Sequence, residues 1–306
     1  MLIHIGYHKT GTNWLQRVLF SDPDSGFHWL GKKPGSHPVR RFVRDAPLEF
    51  DAAAVREELA PLVERAGGLE PVISFERLSG HPLSGGFDSR QIADRLHETY
   101  PDAKILVATR EQRSAIVSIW KGYVQQGGAL PLGRFVDPPT SKSRRVPQFD
   151  WRFFEYDRLV AYYRDLFGAE NVLAMALEQF VADGRSYVER IGLLAGRPIP
   201  PEVLDRLPYT RRENVRTVSA ATLALTRRLN LLGPRTEVNP SPPVQSKRFG
   251  RYARQFEQRD VLGRFAKADA RLRHEVDEWA GDRYAESNRR LGELIGVDLG
   301  AFGWRT

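Results

Sequence analysis

The chain of 306 residues contains no cysteine. This absence excludes disulfide bonds, thiolate nucleophiles and cysteine metal ligands, so the chemistry has to come from other side chains. It also agrees with a cytoplasmic location, since proteins of that compartment rarely carry disulfides. The sequence shows no signal peptide, and we therefore expect a cytoplasmic protein.

Long apolar runs are missing as well. No run approaches the ~20 residues that a helix needs to span a bilayer, so we expect a soluble protein without a transmembrane segment. The chain is nevertheless 41% hydrophobic and carries 6 Trp, 16 Phe and 10 Tyr, which is far more than a disordered chain contains. A length of 306 residues is enough for one large hydrophobic core.

Acidic residues are outnumbered, which leaves a formal net charge of +8. Such a charge implies an anionic partner: a nucleotide, an acidic substrate, a membrane surface or a nucleic acid. The basic residues are spread along the chain among acidic ones and form no recognisable nucleic-acid-binding module, so a nucleic-acid partner is not expected.

Short apolar runs alternate with longer amphipathic segments, which predicts an α/β fold with a P-loop-like parallel sheet flanked by helices. The predicted strands are residues 2–6, 72–75, 105–109 and 172–177. The predicted helices are residues 13–20, 53–66, 88–99, 112–126, 151–167 and 185–195. Asp88 stands three residues before Gln91, the spacing of a capping box at the start of a helix.

Strand signals fade after about residue 215, and a mainly helical C-terminal region is expected around a loop that contains Pro240, Pro242 and Pro243. We expect one domain over residues 1–306, made of an α/β nucleotide-binding core, 1–214, and a mainly helical part, 215–306.

A glycine-bearing segment, Gly6-Tyr7-His8-Lys9-Thr10-Gly11-Thr12-Asn13-Trp14, joins the first predicted strand to the first predicted helix. In this position, backbone N–H groups and the positive end of the helix dipole form a cradle for a phosphate. In NTPase phosphate loops a lysine directly follows the second glycine. Here Lys9 precedes Gly11, so the loop is related to that type without matching it.

The segment resembles the phosphosulfate-binding loop of sulfotransferases that use 3′-phosphoadenosine-5′-phosphosulfate (PAPS). Bacterial members of that family carry H-K-T-G-T-T-W-L-Q, and this chain departs from the pattern at Asn13, where a second threonine is usual. The resemblance implies that PAPS is bound by His8, Lys9, Thr10, Gly11, Thr12, Asn13 and Trp14, the last by stacking on adenine. It implies no metal.

A second pair of residues follows the third predicted strand. Arg110 ends that strand, and Ser118 comes eight positions later on the next predicted helix. A forked guanidinium and a hydroxyl in these places can converge on one phosphate. The pair resembles the 3′-phosphate site of the same sulfotransferases.

Sulfuryl transfer needs a cation where charge builds on the departing phosphate and a base at the acceptor. The resemblance gives the first role to Lys9. Glu76, at the end of a predicted central strand, is the candidate base. An ion pair of Glu76 with Arg77 or another arginine is the alternative reading, and His8 and His81 are the alternative bases.

A weaker resemblance covers residues 150–180, where Phe167-Gly168-Ala169-Glu170-Asn171-Val172 and Leu177-Glu178-Gln179-Phe180 follow a sulfotransferase-like order. The tyrosine and aspartate of the family's second motif are missing, so this segment implies architecture and no nucleotide contact.

The predicted activity is transfer of a sulfuryl group from PAPS to a hydroxyl or amine of a carbohydrate, lipid, peptide or small metabolite, which also yields 3′-phosphoadenosine-5′-phosphate (PAP). A P-loop-type kinase or NTPase and a non-catalytic nucleotide-binding protein are the alternatives. The acceptor pocket is expected in residues 26–43, 79–87, 127–149 and the region after 240. The oligomeric state stays open.

Overall fold

The computed structural model describes residues 1–31, 39–138, 147–210, 218–259 and 267–306. Parts of the predicted acceptor segments, residues 32–38, 139–146 and 260–266, lie outside these ranges. The chain forms two compact units. The sheet unit consists of Met1–Glu111, Arg152–Asn214 and Tyr284–Thr306, and the helical unit of Gln112–Trp151 and Val215–Arg283.

A five-stranded parallel sheet forms the centre of the sheet unit. The strands are β1 (Leu2–His4), β2 (Phe27–Trp29), β3 (Glu70–Ser74), β4 (Lys104–Thr109) and β5 (Val172–Ala176). Their order is β2-β3-β1-β4-β5, with Ile3 of β1 in register with Ile73 of β3 and Ile105 of β4. The predicted parallel sheet is confirmed, and β2 is an additional strand that the sequence reading missed.

The described helices account for most of the remaining secondary structure. In chain order they are α1 (Thr12–Trp14), which continues as a π-helix over Leu15–Leu19, α2 (Arg40–Arg44), α3 (Ala52–Glu64), α4 (Ser89–Thr99), α5 (Gln112–Gln125), α6 (Leu132–Val136), α7 (Tyr156–Phe167), α8 (Leu177–Ala182), α9 (Gly184–Leu194), α10 (Pro201–Arg206), α11 (Ala220–Asn230), α12 (Lys247–Arg259), α13 (Lys267–Ala280) and α14 (Ala285–Ile295). Single 3-10 turns lie at Pro23–Ser25, Glu76–Ser79, Pro82–Ser84, Trp151–Phe154, Ala169–Asn171 and Gly300–Phe302.

Two helix starts show how local signals compete with tertiary contacts. Asp51 caps α3, since its carboxylate accepts hydrogen bonds from the backbone N–H groups of Ala53 and Ala54. The predicted capping box at Asp88 is wrong, because Asp88 makes no side-chain cap bond. Its carboxylate instead forms a two-point ion pair with Arg77.

The core of the sheet unit positions the ends of the strands. Leu2, Leu106 and Met175 point from the sheet into a cluster of buried side chains that includes Leu15 and Leu19 of the first helix. Burial of strands on both faces is typical of parallel sheets covered by helices. Because β3 and β4 flank β1 on opposite sides, the carboxyl ends of β1 and β4 form the kind of switch point where open α/β sheets bind ligands.

The helical unit contains α5, α6, α11, α12 and α13. Asn230 at the end of α11 donates hydrogen bonds from Nδ2 to the carbonyl oxygen of Val124 (2.8 Å), in the last turn of α5, and to that of Gly128 (2.9 Å), in the loop that follows. The predicted mainly helical C-terminal region is confirmed. Within the described ranges, no helix combines the length and the apolar character that crossing a bilayer requires.

Candidate functional site

The loop between β1 and α1 begins and ends at glycines that no other residue can replace easily. A Cβ atom on Gly6 would lie 2.5 Å from Nε2 of His4, so a side chain there would force His4 to move. Gly11 has φ +85° at the N-cap of α1, a left-handed conformation that glycine adopts without strain. The glycines let the backbone turn tightly around the space in front of the helix N-terminus.

Lys9 occupies an unusual backbone conformation in this loop. Its φ of 69° makes it the one non-glycine residue with positive φ in the described part of the chain. Such a conformation costs of order 1–2 kcal/mol for a side-chain-bearing residue, and strain of this kind concentrates at functional sites. Two hydrogen bonds stabilise the loop: Thr10 Oγ1 donates to the Tyr7 carbonyl (2.6 Å), and Arg110 Nη1 donates to the Lys9 carbonyl (3.1 Å).

The loop and Arg110 meet at the switch point of the sheet. Beyond β1, the backbone N–H of Tyr7 still donates to the Ala108 carbonyl of β4 over 2.8 Å. The structure therefore brings Lys9 and Arg110, which are 101 positions apart in the sequence, to one edge of the sheet.

Glu76 lies in the same electrostatic environment, directly after β3. Burial raises the pKa of the Glu76 carboxyl above its usual range, and the nearby Lys9 ammonium partly offsets this effect. Lys9 is exposed by surface area, but crowding by its neighbours removes part of its solvation and lowers the pKa of its ammonium, with Glu76 opposing the change and Arg110 adding to it. Since Arg77 pairs with Asp88, the cation that acts on Glu76 is Lys9.

The two histidines considered as alternative bases contact each other. The rings of His8 and His81 meet edge to face with centroids 4.9 Å apart. Burial, followed by the charges of His81, Arg77 and Lys9, lowers the pKa of His8 to about 3. His8 is therefore a neutral imidazole at pH 7. His81 Nδ1 accepts a hydrogen bond from the backbone N–H of Leu83 (3.2 Å).

Among the described residues, three buried side-chain atoms in or beside the loop have no hydrogen-bond partner: Thr12 Oγ1, His8 Nδ1, and His4 Nε2 next to Gly6. Buried polar atoms normally form hydrogen bonds, and those without a protein partner often bind a ligand or a water. Asn13, in the first turn of α1, is exposed. Together with the unsatisfied N–H groups of a helix N-terminus, these atoms fit a phosphate or sulfate group.

Trp14 packs in an aromatic cluster and is only 4% exposed. Its ring lies between Phe180 (centroids 4.7 Å apart) and Tyr209 (5.8 Å, stacked), and its Nε1 donates to the Pro208 carbonyl over 3.1 Å. The adjoining cavity holds only about 20 Å³. Stacking of an adenine on Trp14 stays a prediction that requires Tyr209 or Phe180 to move aside.

Glu178 is a further charged residue at this edge, which sequence reasoning did not assign to the site. It follows the carboxyl end of β5, and its carboxylate accepts hydrogen bonds from the Glu111 backbone N–H and from Trp304 Nε1, each 3.2 Å long. Burial raises the pKa of Glu178, whereas the Arg110 charge lowers it. Its place directly after the predicted strand 172–177 was the signal in the sequence, the same signal that identified Arg110.

Ser118, the predicted partner of Arg110 in a phosphate site, lies on α5 of the helical unit, whereas Arg110 belongs to the sheet unit. Their convergence on one phosphate stays a prediction.

Comparison with solved structures identifies the fold. The crystal structure of a sulfotransferase from Alicyclobacillus acidocaldarius matches this chain with a TM-score of 0.57, over 99% of this chain and 98% of that one. The chain has a sulfotransferase fold. The two sequences are 18% identical, a level at which the similarity shows the fold alone. The fold class implied by the resemblance is thereby confirmed.

A sulfotransferase domain from the curacin biosynthetic pathway also matches, at 14% identity and a TM-score of 0.43, over 83% of this chain and 96% of that one. A TM-score this low carries no argument beyond the similarity itself. No protein-family model and no curated protein matches the sequence. The sulfotransferase fold is thus recognised from the structure and from the short motifs of the chain.

Proposed function

We propose that the protein is a sulfotransferase that transfers the sulfuryl group of PAPS to a hydroxyl or amine of an acceptor. One observation carries the proposal: Lys9, with a left-handed backbone, lies in the loop at the switch point of a sulfotransferase fold. Its carbonyl accepts a hydrogen bond from Arg110, and its ammonium interacts electrostatically with Glu76. This arrangement offers a cation and a carboxylate to one ligand.

In the proposed reaction the bond between sulfur and the 5′-phosphate oxygen breaks, while a bond forms between sulfur and the acceptor oxygen or nitrogen. The Lys9 ammonium stabilises the negative charge that develops on the departing phosphate oxygen. The acceptor proton passes to the Glu76 carboxylate. Burial makes that carboxylate a stronger base than an exposed one, since its pKa is raised.

For nucleotide binding, we assign the 5′-phosphosulfate to the loop residues from His8 to Asn13 and the 3′-phosphate to Arg110 and Ser118. The partnerless Thr12 Oγ1 supports the first assignment, since it lies at the helix N-terminus and has a donor to offer. The second rests on the guanidinium at the switch point, which matches a phosphate by forked hydrogen bonds. Trp14 is the proposed adenine contact.

Isothermal titration of the purified full chain with PAP, without added metal, tests this function, with ATP and AMP as competing ligands. We expect binding of PAP in preference to ATP, and a loss of at least about tenfold in affinity for Arg110→Ala, the cost of one charge-assisted contact. Arg65→Ala, which removes a charge from the exposed end of α3, is the matched control and should bind PAP like the wild type.

The alternatives predict other results. Preference for ATP would overturn the proposal in favour of a kinase or NTPase. Binding of PAP without transfer from labelled PAPS to any acceptor offered, hydroxyl or amine, would favour a nucleotide-binding protein without catalytic activity. Equal loss of PAP binding in Arg110→Ala and Arg65→Ala would remove Arg110 from the site.

A further inference from the structure

A groove of about 1170 Å³ opens in the helical unit, between α5, α6, α11 and α13. Its walls carry three tryptophans, Trp120, Trp151 and Trp279, together with charged side chains of both signs. We call it the tryptophan groove. Ligand sites of drug-sized molecules usually measure about 300–1,000 Å³, so this groove has room for a larger ligand.

Trp279 is the most exposed of the three rings. On α13 it is 40% exposed, and it lies against Gly133 of α6, where an added Cβ would come within 3.5 Å of the indole. An exposed indole in a concave surface is uncommon, because the large apolar ring of tryptophan is more stable when it is covered and kept out of water. The position of Trp279 is that of an aromatic platform for a ligand.

The other two tryptophans are held in place by the unit itself. Trp120 is buried in the wall, with Nε1 donating to the Leu130 carbonyl over 3.1 Å. Trp151 is half-buried, with the Arg283 guanidinium 5.3 Å from its ring centroid and Phe149 edge to face at 5.5 Å. Trp120 therefore supports the wall, whereas the half-buried ring of Trp151 can contact a ligand with little conformational entropy left to lose.

The charges of the groove balance. Its lining includes the arginines Arg134, Arg227 and Arg271 and an equal number of carboxylates, those of Asp137, Glu275 and Glu278. Arg271 Nε pairs with Glu275 Oε1 at 2.9 Å, and Arg227 Nη1 donates to the Ala129 carbonyl at 3.1 Å. Because these charges cancel, the groove has no net attraction for a polyanion, and an acyl chain would leave the charged groups desolvated.

A neutral sugar matches this combination. The apolar C–H face of a sugar ring covers an indole, while its hydroxyls donate to carboxylates and accept from guanidinium groups. We propose that the tryptophan groove binds a neutral oligosaccharide, with Trp279 as its stacking platform. The proposal rests on the proposed sulfuryl transfer and deepens it by naming a neutral oligosaccharide as the class of acceptor.

The test is titration of the full chain, without nucleotide, with malto-, cello-, xylo- and chito-oligosaccharides of increasing length, followed by tryptophan fluorescence and calorimetry. Heparin-derived oligosaccharides form the anionic arm and an alkyl maltoside the lipid-like arm. We expect one neutral series to bind, with an affinity that rises with chain length. Trp279→Ala should weaken binding at least about tenfold, and Trp279→Phe should weaken it less.

The matched control is Tyr252→Ala, which removes an aromatic ring that is 49% exposed on α12 and does not line the groove. It should bind the sugar like the wild type. Arg134→Gln is a second groove variant in case Trp279→Ala folds poorly, and far-UV circular dichroism reports whether each variant is folded.

Absence of binding to every neutral series at about 10 mM, which excludes even millimolar affinity, overturns the proposal. Tighter binding of heparin fragments, or sugar binding that Trp279→Ala and Arg134→Gln leave unchanged, overturns it equally. Sugar binding and PAP binding are measured separately. If PAP binds and no sugar does, only the groove assignment is contradicted. If a sugar binds and PAP does not, only the donor site is contradicted.

Discussion

Arg110 donates a hydrogen bond from Nη1 to the backbone carbonyl of Lys9 over 3.1 Å, which joins the end of β4 to the loop after β1. The bond holds the loop residue whose backbone is left-handed, at φ 69°. A local strain of this kind persists only where surrounding contacts stabilise it, and here one of those contacts comes from the second cation of the site. The side chain of Arg110 therefore helps to hold the backbone of Lys9 in its left-handed conformation.

Two substitutions of Lys9 distinguish the role of its charge from the effect of its strained backbone conformation. Both Lys9→Ala and Lys9→Gly should lower the rate of sulfuryl transfer at least about a hundredfold, with a smaller effect on PAP affinity, because charge stabilisation at the leaving oxygen is lost. In urea unfolding, Lys9→Gly should be more stable than Lys9→Ala by about 1 kcal/mol, since glycine adopts positive φ without strain. Wild-type transfer rates in Lys9→Ala would remove the lysine from the mechanism.

Glu76→Gln should lower activity while leaving the protein as stable as the wild type, or more stable, at pH 7. The pKa of Glu76 is raised above its ordinary 4.5, so its contribution to stability is present below that value and is lost as pH rises through the folded pKa. In the wild type, the transfer rate should rise with pH as Glu76 ionises, and the variant should lack that step. A destabilised variant with intact transfer would indicate a structural ion pair with Lys9.

Nucleotide binding should be coupled to the protonation of Glu178. Its ionised carboxylate and a bound phosphate compete for the Arg110 charge, so PAP affinity should increase as pH falls through the raised pKa of Glu178. Trp304→Phe removes a donor that favours the carboxylate and should move this transition to higher pH. Calorimetry between about pH 5 and pH 8 covers the expected range. Trp29→Phe is the control, and an identical shift in both variants would contradict the coupling.

Stability should fall as the solution becomes more acidic than pH 6.5, because two histidines, the buried His4 and the half-buried His8, are neutral in the folded protein. Burial lowers the pKa of His4 and of His8 from 6.5 to about 3. Stability from such a group is present above its unfolded pKa and is lost as pH falls towards the folded pKa, with a slope of up to about 1.4 kcal/mol per pH unit for each histidine.

Urea unfolding at several pH values measures this slope. His4→Gln should reduce it, since the titrating ring that now bonds to Ser74 Oγ at 2.8 Å is removed. His274→Gln, at a side chain that is 72% exposed on α13, should not change it. An unchanged slope in His4→Gln would show that His4 does not titrate in this way.

The sequence by itself determined the sheet, the loop after β1 and the charged residues that follow the strands. Apolar runs of strand length and a glycine-bearing loop are local patterns, so β1, β3, β4 and β5 could be predicted to within a few residues. β2 was missed because its three residues are too few to show a period. The cap predicted at Asp88 failed because an arginine 11 positions away took the carboxylate.

Only the tertiary structure decided which of these residues meet. Strand order brought Lys9 to Arg110 and to Glu76, and the chain's last residues brought Trp304 to Glu178, which is 126 positions away. The tryptophan groove likewise collects side chains from two distant stretches of sequence. Local propensity acts over a few residues, whereas these contacts depend on crossover connections and on the packing of whole elements, which no local pattern records.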